Sequence, residues 1–166
     1  MEALNATPSH EFVAVVGFAF EDSPWIAQAA YERRPFADRA ALHAAMVRVV
    51  AEASQELQVA LIAAHPDLAG RVAREGRLTD ASAAEQTSIG LDRLQADERA
   101  RFEALNARYR ETFGFPFVIC AREQTKASIL RALEERGANS RTTEIATALA
   151  EIAKIARLRL AQALPA

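Results

Sequence analysis

The stretch AAHPDLAG, residues 63–70, closes an apolar helical run on a histidine, a proline and an acid. Proline disfavours helical backbone at the residue before it and carries no N–H. His65 is therefore expected at a fixed helix end. An imidazole gains or loses a proton near neutral pH, which suits acid–base catalysis. A histidine at a helix end can equally be a structural group bonded to a nearby carbonyl, and position alone leaves both readings open. His10 and His43 lie far away without metal-ligand spacing, so no metal site is expected.

Two further patterns could do chemistry. In SAAEQ, Ser82, Glu85 and Gln86 fall at i, i+3 and i+4, with Ile89 at i+7. A hydroxyl, a carboxylate and an amide thus share one side of a helix with an apolar residue. The plainer alternative is a solvated face with Ser82 as a local cap. In EIAKIARLRL, with Ile152 taken as zero, Arg159 falls at about −20°, inside the apolar stripe, and Arg157 at about +140°, facing out. A buried arginine requires an anion or several acceptors: a protein carboxylate, a chain terminus or a bound substrate. Snorkelling at the last turns of the helix is the alternative.

The elements that must hold these groups read as helices. Alanine is abundant and few segments alternate with period two. The first helix is expected from Ser9, as N-cap, to Ala19. A second follows Ser23-Pro24 and ends before Pro35. Asp38 caps a third, whose apolar face is Leu42, Met46, Val49, Val50 and Ala53. Ser54 caps a short fourth that ends at His65. Residues 70–79, GRVAREGRLT, form a basic connection. A fifth helix runs from Thr79 or Asp80 to Leu94. A sixth, capped by Asp97, carries Phe102, Leu105, Tyr109 and Thr112 and closes at Gly114. FGFPFVICA, residues 113–121, is too apolar for a surface loop and too broken for a helix, and reads as a buried extended segment. Thr125 caps a seventh helix ending at Gly137, and Ser140 caps a long eighth reaching Ala163. The expected fold is an all-α, single-domain bundle of about eight helices.

Bulk properties narrow the class. The 166 residues suffice for one domain, 51% are hydrophobic and 25% charged, and the formal net charge is −2. No basic footprint for nucleic acid is present. The single cysteine, Cys120, supports neither a disulfide framework nor a multi-cysteine metal site. No signal peptide, peroxisomal address or membrane span is expected, which points to a cytoplasmic protein.

FEDSPWIA, AHPDLAG, SAAEQTSIGL, RFEALNARYRETFGFPFVIC, QTKASIL and EIAKIARLRL occur in an order that resembles the 2-oxo-4-hydroxy-4-carboxy-5-ureidoimidazoline (OHCU) decarboxylases. HPDLAG, S-x-x-E-Q and FGFPF together are specific, although each alone is weak. The chain departs from the family at Asp22, where histidine is common. The resemblance reaches from about residue 10 to 160, and 1–166 reads as one OHCU decarboxylase-like domain. It implies an all-helical homodimer that needs no metal or organic cofactor. It implies a ureidoimidazoline substrate converted to (S)-allantoin and CO2 in urate degradation. His65 and Glu85 would be the catalytic pair. Ser82, Gln86 and Arg159 would bind the substrate, and Pro66 and the backbone at Phe117, Val118, Ile119 and Ala121 would complete the pocket. Either His65 or Glu85 could deliver the stereochemical proton. The rival readings are a non-catalytic helical ureide-binding module and a decarboxylase of a related ureido acid.

Overall fold

The computed structural model describes residues 1–68 and 79–164. Gly70, Pro165 and the connection expected over 70–79, apart from Thr79, lie outside the described residues. Those described form nine α-helices, three short 3-10 turns and no strand. Packing sorts them into two compact units, Met1–Ala64 with Ile152–Ala166, and His65–Glu151.

The first unit contains α1 (Glu2–Ala6), α2 (Ser9–Val16), α3 (Pro24–Tyr31), α4 (Arg39–Glu52), α5 (Gln55–Ala64) and the later turns of α9 (Arg141–Ala163). Helix α1 was not expected from the sequence. It is short and is held by tertiary bonds: Asn5 Nδ2 donates to the Phe36 carbonyl at 2.9 Å, and the Phe36 amide returns a bond to Asn5 Oδ1 at 2.9 Å. Arg34 adds Nη1 to the Asn5 carbonyl at 2.7 Å. Helices this short are not stable alone.

Helix α2 also corrects the sequence reading. Pro8, not Ser9, occupies the N-cap position, and the α-helix stops at Val16 before a 3-10 turn over Gly17–Ala19. Ser23 and Pro24 do open α3, with proline inside the first turn. Asp38 caps α4 by accepting the Ala41 amide at 2.7 Å. Leu42, Met46, Val49 and Val50 are buried as their spacing requires, whereas Ala53, expected on the same face, lies past the helix end and is half-buried. Phe12 packs edge-on to Tyr31 and stacks on Phe36. Asp22 takes a left-handed backbone, φ 42°. Asn, Asp and His are the side chains enriched there, which accounts for an Asp at a position where the family resemblance leads one to expect His.

The second unit contains α6 (Asp80–Thr87), α7 (Ala96–Phe113), α8 (Lys126–Arg136) and the early turns of α9. Helix α6 ends at Thr87, not at Leu94. Gly90 turns the chain with φ 74°, and Leu91–Arg93 form a 3-10 turn. The N-cap of α7 is Gln95, not Asp97: Glu98 reaches back to the Gln95 amide at 3.1 Å in a capping box. Gly114, φ 78°, closes α7 in the left-handed conformation that glycine adopts at no steric cost. Thr125 caps α8 and Ser140 caps α9, at 3.2 and 3.1 Å.

The core of this unit surrounds one carboxylate. Glu144 on α9 is fully buried. Its Oε1 accepts Arg136 Nε at 2.8 Å and also accepts Arg136 Nη2 and the Tyr109 hydroxyl. Its Oε2 accepts Asn139 Nδ2 at 2.7 Å. A buried charge persists only when it is paired and hydrogen-bonded in this way. Burial first, and the bond to Glu144 second, push the Tyr109 phenol far above its ordinary range. Tyr109→Phe should therefore leave activity near wild type and lower stability by about 1.5 kcal/mol, the low end for a bond to a charged group because three donors remain. That corresponds to a fall in Tm of about 3 to 6 °C, read in a thermal melt.

Candidate active site

The second unit holds nine of the ten residues singled out above, from His65 to Ala121. Helix α5 ends at Ala64, and His65 follows it directly, only 6% exposed. The imidazole is thus an interior group at a helix end. Pro66 and Asp67 are half-buried and Leu68 is buried.

Helix α6 begins where Thr79 Oγ1 accepts the Ser82 amide at 3.3 Å. Ser82 and Gln86 are 4% and 5% exposed, and Glu85 and Ile89 are half-buried. The stripe is not a solvated face. Gln86 Nε2 reaches the Asp67 carbonyl, a long contact at 3.5 Å. It joins α6 to the His65-Pro66-Asp67 turn.

The segment after Gly114 is buried from Phe115 to Ala121 and belongs to no strand. Side chains pin its backbone. Arg136 Nη1 donates to the Val118 carbonyl at 2.9 Å, and the Cys120 amide donates to Glu151 Oε2 at 2.8 Å. The Arg136 guanidinium lies 4.3 Å over the Phe117 ring, whose other contacts include the edge of Tyr109. Buried backbone without such partners would be costly. Phe117, Val118, Ile119 and Ala121 are therefore held at defined positions. Helix α6 packs against the turn Ala121–Glu123. Burial pushes the Cys120 thiol up to about 11, reinforced by the carboxylates of Glu123, Glu151 and Glu85.

Arg159 belongs to the first unit. It is 3% exposed while Arg157 is exposed, as the helical phase requires. Its Nη1 donates to Glu21 Oε2 at 2.7 Å and to the Phe18 carbonyl at 3.4 Å. Of the acceptors that the sequence left open, a protein carboxylate is one that the fold supplies. Glu21 was missed because nothing in its local pattern marks it; the partner comes from a residue 138 positions away.

Asn106 and Arg110 were also missed. Asn106 is buried on α7 and donates through Nδ2 to the Leu68 carbonyl at 2.8 Å. Arg110 Nη2 pairs with Asp67 Oδ1 at 2.9 Å. Asn106 lies four residues after Phe102 and three before Tyr109, both core residues, so the inward-phase argument used for Arg159 could have found it. Among the described residues no group of three His, Cys, Asp or Glu side chains could hold a metal ion. No helix among them is long and apolar enough to cross a membrane.

A model of the OHCU decarboxylase family matches residues 5–161, across both units. The chain belongs to the OHCU decarboxylase family. Among curated relatives, the OHCU decarboxylase of Haloferax volcanii is 43% identical over 162 residues, 98% of this chain and 94% of that protein. That of Halalkalicoccus jeotgali is 41% identical over 160 residues, 96% of this chain and 89% of the relative. A crystal structure of (S)-allantoin synthase superposes with a TM-score of 0.79 at 29% identity. It covers 99% of this chain and 53% of the other, so the present chain spans about half the length of that protein. An OHCU decarboxylase crystallised in the presence of (S)-allantoin gives a TM-score of 0.69 at 22% identity, covering 94% of this chain and 97% of that one, which supports the all-α fold. A "uric acid degradation bifunctional protein" of Bacillus subtilis is 38% identical over 161 residues, 97% of this chain and 32% of that protein.

Proposed function

We propose that this chain decarboxylates 2-oxo-4-hydroxy-4-carboxy-5-ureidoimidazoline to (S)-allantoin and CO2 in urate degradation. Family membership supports the reaction. The structural observation that carries the reading is that a buried imidazole and a half-buried carboxylate come from two segments that Gln86 joins.

The chemistry asks little of the protein beyond placement. The carbon bearing the substrate carboxylate and hydroxyl adjoins a ring C=N bond. When the bond to the carboxylate breaks, CO2 leaves, the released electron pair forms a C=C bond to the imine carbon, and the imine nitrogen, which takes the displaced pair, gains a proton. The hydroxyl then loses its proton and becomes a carbonyl, and the former imine carbon gains a proton from one face. The substrate carries its own electron sink. Orientation and fixed local charge lower the barrier. In this reading His65 is the principal acid–base group near the hydroxyl and departing carboxylate. Glu85 is the second acid–base or orienting group. Ser82 and Gln86 read ring and ureido amides, Pro66 and the backbone from Phe117 to Ala121 shape the pocket, and Arg159 holds a carbonyl or carboxylate.

The test is to generate the substrate in situ from urate and follow circular dichroism. The substrate also decays on its own, so stereochemistry is the readout. Enantiopure (S)-allantoin supports the proposal, and racemic product at the uncatalysed rate removes it. The same result separates it from a non-catalytic ureide-binding module.

Arg159→Lys keeps a cation opposite Glu21 but loses the planar fork. Losing a charge-assisted hydrogen bond costs roughly 1.5 to 3 kcal/mol, or about ten- to a hundredfold in kcat/KM. Arg157→Lys, exposed on the same helix, should be nearly silent. Equal kinetics for the two variants would remove Arg159 from the site.

A homodimer is part of the proposal and rests on the family resemblance. Sedimentation at micromolar concentration should show a species of twice the 18.1 kDa chain mass; a lone 18.1 kDa species would contradict it. A cytoplasmic setting is also part of the proposal, and the single cysteine, buried and free, is compatible with it.

A further inference from the structure

We infer that Asn106 and Arg110 are positioning residues that act through His65, an assignment that rests on the acid–base role proposed for that imidazole. They stand one turn apart on α7 and so share a face. Asn106 bonds the carbonyl of Leu68 at 2.8 Å, and Arg110 bonds the carboxylate of Asp67 at 2.9 Å. Together they grip the two residues that follow His65-Pro66. Gln86 approaches the same Asp67 from α6 through its carbonyl. The turn is therefore tied on its side chain and on its backbone.

The position of Asn106 argues for a purpose. Its neighbours on the face, Phe102, Tyr109 and Phe113, are core residues. An apolar side chain there would pack without any polar group to satisfy. Asn106 Oδ1 has no hydrogen-bond partner among the described residues, so the bond to Leu68 is what orients the amide. A buried polar group of this kind is tolerated where its bond does a job that packing cannot. The job here is register. Proline prevents the chain at His65 from continuing as helix, and the grip on residues 67 and 68 decides where the next peptide goes. Between these constraints the backbone that carries the imidazole is held in place. Misplacing a catalytic group by about 1 Å can cost about a hundredfold in rate.

The test uses the full chain, labelled with 15N. Its three histidines give ring signals assigned by replacing each in turn. Asn106→Asp keeps the side-chain shape and replaces the donor with an oxygen. It should lower kcat about tenfold with KM within about twofold, and should shift the His65 ring signals while leaving those of His10 and His43 in place. Arg110→Ala, on the half-exposed side of α7, keeps the test alive if the first variant does not fold. It should lower kcat about two- to fivefold, and Arg110→Lys should restore most of the loss. Unmoved His65 signals in folded variants, or wild-type kcat in Arg110→Ala, would overturn the inference. Failure of the functional reading looks different: the wild type would then form no excess of (S)-allantoin, while the ring signals would still report whether α7 sets the imidazole.

Discussion

His65→Ala and His65→Asn should fold and lose about 10² to 10⁴-fold in turnover, the usual contribution of a positioned acid–base group. The fold should survive because the backbone at this point has other anchors. Pro66 sets the helix end, Asn106 holds the Leu68 carbonyl and Arg110 holds Asp67. None of these needs the imidazole. The alanine variant leaves a void where a buried ring stood, so some loss of Tm is expected. Asparagine fills more of the space and keeps polar atoms but cannot carry a proton near neutral pH. The two variants together separate packing from chemistry: both should be inactive, and only the alanine should be clearly less stable. The measurement is the rate of (S)-allantoin formation by circular dichroism, beside a thermal melt. Turnover like the wild type in a folded His65→Ala protein would end the catalytic assignment.

Glu85→Gln should show the second largest defect, again about 10² to 10⁴-fold if the carboxylate moves a proton. The side chain is half-buried on α6 between buried Ser82 and buried Gln86 along the helix face. Glutamine preserves the shape and one acceptor oxygen, so stability should change little. What disappears is the negative charge and the ability to exchange a proton. Asp92→Asn is a suitable control, because Asp92 is exposed beyond the end of the helix and makes a surface pair with Arg93. Glu98→Gln is not a neutral control. Glu98 caps α7 and bonds Lys126 Nζ at 2.9 Å, and that lysine bond is what chiefly lowers its pKa. Intact stereospecific product formation by Glu85→Gln would reduce the residue to a spectator.

Much of this protein was legible because it depends on neighbours in the chain. Proline, glycine and capping side chains act within one helical turn, so the ends at Ser23-Pro24, Asp38, Gly114, Thr125 and Ser140 could be read from local sequence. Helical phase is likewise local. It separated buried Arg159 from exposed Arg157 and put Ser82, Glu85 and Gln86 on one side, whereas Ile89 lies past the end of α6. The motifs carried the family. The local rules failed where competing caps were within a residue or two of each other, as at Gln95 and Asp97, and where a glycine stopped a helix early, as near Gly90.

The tertiary structure alone decided who partners whom. Helix α1 exists because Asn5 meets Phe36. Glu144 can stay charged in the core because Tyr109, 35 residues away in the chain, joins Arg136 and Asn139, which come from just before α9. Arg159 needed an acceptor on any reading of its phase, but only the fold names Glu21. The same holds for the turn beside His65. The sequence placed a proline-locked imidazole at a helix end. That α7 grips the next two residues depends on segments about forty residues apart meeting in space. A local pattern can specify a conformation, since its determinants lie within a few bonds. It cannot specify the partner of a buried polar group, because that partner is chosen by how apolar faces pack.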